Sequence, residues 1–241
     1  ESWPAPKLKG PARRPGGVVE EGSGVYYAAP PRPSEKGVAV LHDVFGPRGG
    51  RTWAVCDELA RAGFHVALPD AYEGTDMLAQ GGFGDRAGME WLKGRTEWPR
   101  LARLLEPAFE TLGARGAVSV GALGFCWGGY GVFKLSAAGR IRAGVACHPS
   151  LKVGRRFFRD TEEAQAKAAA CPMALLLAGN DDRRLGPLKD IVESGGNECV
   201  VHDFPDMLHG WVPRGDMSDP AVARDVEKAI RLSAAFLHRH L

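Results

Sequence analysis

Short apolar runs alternate with amphipathic segments along the chain from about residue 18 onward. Six runs are almost continuously apolar, namely GVAVL, FHVAL, AVSVGALGF, AGVACH, MALLLAG and CVVHDF. Runs of this kind are typical of strands buried on both faces of a sheet, and their alternation with helices favours parallel pairing. The pattern therefore predicts an α/β fold with a mostly parallel central sheet and helices on both faces.

The predicted elements have definite places along the chain. Strands are expected at residues 37–41, 64–68, 117–125, 143–148, 173–179 and 199–204, after a hairpin over residues 18–29. Helices are expected from Trp53 to Gly63 and at residues 89–92, 101–112, 128–138, 160–170, 188–194 and 220–237. No internal repeat or linker divides the chain, so residues 18–241 are predicted to form a single domain without a large cap domain.

Residues 1–17 are predicted to form a proline-rich, basic N-terminal extension. Proline fixes φ and removes a backbone donor, so this segment is expected to be extended and to stay outside the sheet. Such an extension could bind a protein partner, or it could simply pack along the surface.

The overall charge is nearly balanced, with 31 basic and 29 acidic side chains and a formal net charge of +2. This balance does not favour nucleic acid or an anionic membrane as a partner. No apolar run approaches the roughly 20 residues of a membrane-spanning helix. The five cysteines are spread without close pairs, which indicates free thiols in a reducing, intracellular compartment. That compartment is the cytoplasm or, after removal of a targeting peptide, the interior of an organelle.

The segment GFCWGG, at residues 124–129, contains the candidate nucleophile. It has the form Gly-x-Cys-x-Gly, directly after a predicted strand and directly before a predicted helix. Such a turn is strained and exposes the central side chain, and glycines two positions away on either side avoid collisions with neighbouring elements. The start of a helix also favours a thiolate. Cys126 is therefore predicted to be the nucleophile, and the other four cysteines to be core residues.

A cysteine nucleophile needs a base, and the base needs an orienting acid. In sheets of this kind these residues follow later strands, in the order nucleophile, acid, histidine. Asp181 and Asp182 come directly after MALLLAG, and His209 follows CVVHDF. His209 is predicted to be the base. Asp181 is favoured as the acid, with Asp182 as the alternative, because a shift of one residue in the loop would exchange them.

The other histidines are weaker candidates for the base. His65 and His202 lie within predicted strands, and His238 and His240 lie at the C-terminus. His42 and His148 directly follow strands, which makes both of them candidates for residues of a substrate pocket.

Hydrolysis through a nucleophile also needs donors for the oxyanion. One is the backbone N–H of the residue after the nucleophile, here Trp127. The second comes from the loop after an early central strand, here HDVFG, where Val44 is the candidate donor.

Taken in order, HDVFG, GFCWGG, AGNDD and LHGW resemble the dienelactone hydrolase family of α/β-hydrolases, from about residue 18 to the C-terminus. The resemblance implies an α/β-hydrolase fold and a triad of Cys126, Asp181 and His209. It implies hydrolysis of small-molecule esters or lactones through a thioester, without a metal or organic cofactor. It also places Asp43 beside the resting thiol.

The resemblance departs from the family pattern at the substrate-binding arginines. Bacterial members of the family bind the substrate carboxylate with arginines, one of them four residues after the catalytic histidine. This chain has Pro213 there, followed by Arg214, and Arg86 loosely matches another of these arginines, so Arg214 and Arg86 are candidate pocket residues. The CHPS and HGW segments are similar to the plant and fungal branch of the family. That similarity implies that His148 and Trp211 line the pocket.

Two other functions are compatible with the sequence. A hydrolase fold could serve as a catalytically idle binding or structural module in an assembly. A serine-type peptidase or lipase is less compatible, because those enzymes carry serine at the position of Cys126.

Overall fold

The computed structural model describes residues 16–20 and 23–241. The predicted N-terminal extension, residues 1–17, therefore lies outside the described residues except for Gly16 and Gly17, whose N–H groups donate to Asp57. In the part of the chain that is described, no helix combines the length and apolar character of a membrane span.

The described residues form one eight-stranded sheet. Its strands are β1 (Val18–Val19), β2 (Tyr26–Ala28), β3 (Lys36–Leu41), β4 (His65–Leu68), β5 (Ser119–Phe125), β6 (Gly144–Cys147), β7 (Met173–Ala178) and β8 (Cys199–Phe204). Their order in space is β1-β2-β4-β3-β5-β6-β7-β8. β1 and β2 are antiparallel to their neighbours, and all other pairs are parallel. The predicted mostly parallel sheet is confirmed.

Helices follow most of the parallel strands. Over the described ranges they are α1 (Thr52–Arg61), α2 (Arg86–Thr96), α3 (Trp98–Ala114), α4 (Trp127–Ala137), α5 (Lys152–Phe158), α6 (Glu162–Lys167), α7 (Leu188–Ser194), α8 (Trp211–Arg214) and α9 (Pro220–His240). The sequence pattern did not predict α5 or α8. Both are at most seven residues long, too short for a helical period to show.

The sheet is covered on both faces, as β7 shows. Met173, Leu175 and Leu177 pack in the core on one face with α4, while Leu176 packs in the core on the other face with α1 and α9. Side chains alternate between faces along a strand, so a strand between two helical layers must be apolar at every position. Full burial of each such leucine contributes about 1.5–3 kcal/mol.

Candidate active site

Cys126 lies in a strained turn between β5 and α4. Its backbone has φ 53° and ψ −115°, outside the regions that a side chain normally allows. A Cβ on Gly124 would lie 2.3 Å from the carbonyl oxygen of Gly128, and a Cβ on Gly128 would lie 2.4 Å from that of Leu41. Both glycines are therefore needed for the close approach of backbones that holds the cysteine in this turn.

His209 and Asp181 meet at the ends of β8 and β7. His209 Nδ1 donates to Asp181 Oδ1 at 2.5 Å, and Asp181 Oδ2 accepts the Ala178 N–H at 2.7 Å. The His209 N–H donates to the side-chain oxygen of Asn180 at 2.6 Å. The Asp182 side chain is 31% exposed and pairs with Arg184. Of the two candidate acids, Asp181 is the one that holds the histidine.

Cys126 and His209 shift each other's pKa toward the charged forms. Burial acts to raise the pKa of the Cys126 thiol, but the charge and hydrogen bond of His209, with hydrogen bonds from Ser150 and the Trp127 N–H, bring it below the ordinary value. Burial acts to lower the pKa of His209, and Cys126 and Asp181 overcome this and raise it to about 10. Both shifts act in the same direction, toward a thiolate paired with an imidazolium.

The other four cysteines differ from Cys126 in this respect. All are buried, and burial raises the pKa of Cys56 and Cys171 and brings that of Cys147 and Cys199 to about 12. Thiols in such surroundings are poor nucleophiles at neutral pH.

The oxyanion donors that the sequence predicts border the nucleophile. The backbone N–H of Trp127, the first residue of α4, is aimed at the sulfur. Val44 lines the same cavity from the loop after β3, and its carbonyl accepts the Met77 N–H at 3.0 Å. The Val44 N–H has no acceptor within residues 16–20 and 23–241, so it is available to a substrate oxygen.

Asp43 does not occupy the place beside the thiol that the resemblance implies. Its buried carboxylate accepts the Phe45 N–H at 2.8 Å and forms an ion pair with Arg214. A hydroxyl, that of Ser150, instead lies within hydrogen-bond distance of Cys126 Sγ, at 3.4 Å. The difference has a physical cause, because a short, fully buried carboxylate needs a cation at hand.

Arg214 lies at the edge of the cavity but is committed to Asp43. Its side chain is 6% exposed, and the guanidinium stacks over Phe45 at 4.4 Å. Burial lowers the pKa of Arg214 to about 10, which leaves it charged at neutral pH. The arginine is therefore placed to fix the loop after β3 rather than to meet a substrate freely.

Three other predicted pocket residues lie elsewhere. The rings of His148 and Trp211 are buried behind His209, with the His148 centroid 4.9 Å from His209 and 5.0 Å from Trp211, and neither residue lines the cavity. Each takes space that the core requires to be filled. Arg86 is an exposed residue at the start of α2 and is not part of the cavity wall.

His42 has a structural role. It is buried, its Nδ1 bonds the Asp43 carbonyl at 2.7 Å, and its Nε2 accepts the Ala71 N–H at 3.2 Å. Burial lowers its pKa to about 4, so it is neutral and holds two loops together.

A cavity of about 820 Å³ opens over Cys126. Much of its wall is apolar, and its apolar lining residues include Leu78, Phe83, Met89, Leu92, Phe157 and Leu185. The size is within the range of cavities that enclose a small organic molecule.

The sequence pattern missed two parts of this site. Ser150 lies in CHPS, directly after a strand that ends at the site, and that position was the available signal. The cavity residues of α5, among them Arg155, Arg156 and Phe157, carried no signal because the helix itself was not predicted.

Comparisons with known proteins identify the family of the chain. The sequence model of the dienelactone hydrolase family matches residues 24–241. The human carboxymethylenebutenolidase homolog is 26% identical, with 100% of this chain and 99% of that protein covered. Hydrolase tropI of Talaromyces stipitatus is also 26% identical, over 86% of this chain and 81% of its own length.

A solved structure shares the fold. The dienelactone hydrolase of Anabaena variabilis superposes with a TM-score of 0.60 at 16% identity, covering 93% of this chain and 97% of its own. The family match spans nearly the whole described chain. The chain therefore belongs to the dienelactone hydrolase family and is a hydrolase of ester or lactone bonds.

Proposed function

We propose that the chain hydrolyses small carboxylic esters or lactones through a thioester on Cys126, with His209 as the acid–base group and Asp181 as its orienting acid. The observation that carries the proposal is the hydrogen-bonded His209–Asp181 pair beside a strained, buried cysteine whose pKa is lowered. Each residue lies at the carboxyl end of a different parallel strand.

Acylation begins with attack of the Cys126 thiolate on the substrate carbonyl. The carbonyl oxygen becomes an oxyanion next to the Trp127 and Val44 N–H groups. As the tetrahedral intermediate collapses, the C–O bond to the leaving group breaks, and the His209 imidazolium gives its proton to the departing alkoxide. An ester releases its alcohol, whereas a lactone opens to a hydroxyacyl thioester that stays bound to Cys126.

Deacylation repeats the steps with water. Neutral His209 takes a proton from a water molecule, whose oxygen adds to the thioester carbonyl. The second tetrahedral intermediate expels the Cys126 thiolate and leaves the carboxylic acid. The thiolate and the imidazolium are then restored, and Asp181 stays ionised throughout.

The thioester is the direct test of this proposal. When p-nitrophenyl acetate is mixed with the protein and quenched in acid within milliseconds to seconds, we expect intact mass to increase by one acetyl group. Peptide mapping should place this group on Cys126. Cys171→Ala, which removes another buried cysteine, should acylate as the wild type does. Turnover without an acylated Cys126, or acylation elsewhere, would overturn the proposal.

The apolar wall gives an expectation for substrate shape. Burial of each methylene contributes about 0.8 kcal/mol, or about fourfold in affinity. We therefore expect kcat/KM to rise from p-nitrophenyl acetate to the butyrate and hexanoate esters, by at most about fourfold for each methylene that the wall buries. Phe157→Ala should flatten this rise, because Phe157 lines the cavity, whereas the adjacent Phe158 does not line it, and Phe158→Ala should preserve the rise. A series that is flat in the wild type would contradict this expectation.

A further inference from the structure

Ser150 touches the reacting sulfur. Its Oγ lies 3.4 Å from Cys126 Sγ, and the residue is 8% exposed at the wall of the cavity. The hydroxyl is thus held against the nucleophile in a site with little water to compete for it. The sequence resemblance had given this place to Asp43, which the structure pairs with Arg214.

Backbone hydrogen bonds fix Ser150 in this position. Its N–H donates to the Cys126 carbonyl at 2.8 Å, and the Cys126 N–H donates to the Cys147 carbonyl at 3.2 Å. The turn after β6 is therefore bonded twice to the nucleophile turn without using the Ser150 side chain. Removal of the hydroxyl should leave both backbone bonds in place.

We propose that Ser150 is a catalytic residue, whose hydroxyl donates a hydrogen bond to the resting Cys126 thiolate and releases it when the sulfur attacks. This inference rests on the proposed function of Cys126. A hydroxyl suits the role better than a carboxylate, because it can donate to a thiolate, whereas a second negative charge at that distance would repel it.

Other titratable groups face the same sulfur and set the background for a test. His209 contributes the opposite charge, and Tyr72, from the loop after β4, faces Cys126 as a phenol whose pKa burial keeps well above its ordinary value. The Asp43–Arg214 pair joins the loop after β3 to the end of α8 and is internally neutralised. None of these groups is changed in a Ser150 variant. A change in the pH at which the Cys126 thiolate forms therefore measures the effect of the Ser150 hydroxyl.

The test is the pH dependence of alkylation at Cys126. Iodoacetamide is applied to the wild type, Ser150→Ala and Ser150→Thr, and the Cys126 peptide is quantified by mass spectrometry. A hydrogen bond to a charged group corresponds to about a tenfold change in ionisation. We expect Cys126 of Ser150→Ala to be alkylated about tenfold more slowly than that of the wild type on the acidic limb, and at the same rate on the alkaline plateau. In Ser150→Thr the alkylation rate on the acidic limb should return to that of the wild type. The acidic limb of kcat/KM for ester hydrolysis should move in the same direction.

The other outcomes separate the two proposals. If the Ser150→Ala and wild-type profiles coincide, or if Ser150→Ala is slower by the same factor at every pH, the hydroxyl has no role in charge stabilisation and this inference fails alone. If the wild-type Cys126 titrates as an ordinary thiol, the proposed function fails, and this inference fails with it. Thermal unfolding of the three proteins identifies any variant that is slow because it is unfolded.

Discussion

Replacement of Cys126 by alanine is expected to lower kcat for ester hydrolysis by on the order of 10⁶-fold, as removal of a nucleophile does in comparable triads. The other cysteines cannot take over, because all four are buried and burial raises the pKa of each thiol. The measurement is steady-state hydrolysis of p-nitrophenyl butyrate. The protein concentration is taken from absorbance, and circular dichroism shows that the variant is folded.

The matched control for this change is Cys147→Ala. Cys147 ends the adjacent strand β6 and is equally buried, but its side chain packs in the core on the other face of the sheet. Its loss should cost about 1–2 kcal/mol of folding stability and leave kcat within about threefold of the wild type. If Cys126→Ala retained more than a tenth of the activity, the cysteine mechanism would be wrong, whatever the stability of the protein.

Much of the site follows from sequence because it depends on the order of elements. Apolar strands that end in GFCWGG, AGNDD and the LHGW loop place Cys126, Asp181 and His209 at one edge of a parallel sheet. Glycines at 124 and 128 mark the turn, since any side chain there would collide with backbone. These constraints act over a few residues, so a single sequence displays them.

The residues that the sequence misplaces depend on contacts between distant loops. Asp43 forms an ion pair with Arg214, which is 171 positions later in the sequence, and both side chains are buried. His148 and Trp211 follow strands as pocket residues do, yet they pack behind His209 because the core there must be filled. Local sequence patterns do not predict these contacts, because they form between residues that only the folded sheet brings together.

The choice between Asp181 and Asp182 is of the same kind. Neighbouring residues in a turn point in different directions, and only the position of His209 decides which carboxylate is used. The structure gives Asp181 two acceptor roles, toward His209 Nδ1 and toward the Ala178 N–H, and gives Asp182 a partly exposed pair with Arg184. The two aspartates therefore allow a comparison between a carboxylate bonded to the histidine and a partly exposed one.

Asp181→Asn is expected to lower kcat/KM by about 10³–10⁴-fold, because the loss of an orienting carboxylate has effects of this size in related triads. An amide presents one acceptor where the carboxylate presents two, so either the His209 N–H or the Ala178 N–H loses its partner. The charge and hydrogen bond of Asp181 also help to raise the pKa of His209, so in the variant the imidazolium should lose its proton at lower pH. The alkaline limb of kcat/KM, which reports loss of the imidazolium proton, should therefore move to lower pH.

Asp182→Asn should keep kcat/KM within about twofold, since the ion pair of Asp182 with Arg184 is partly exposed and contributes at most about 1 kcal/mol. Equal losses in the two variants would mean that the loop after β7 acts through its general fold rather than through one carboxylate. A large loss in Asp182→Asn alone would reverse the assignment. The predicted result is a large loss in Asp181→Asn alone, with the alkaline limb of its kcat/KM profile moved to lower pH. This result requires the carboxylate to act on the ionisation of His209. A purely structural role in the turn would not move that limb.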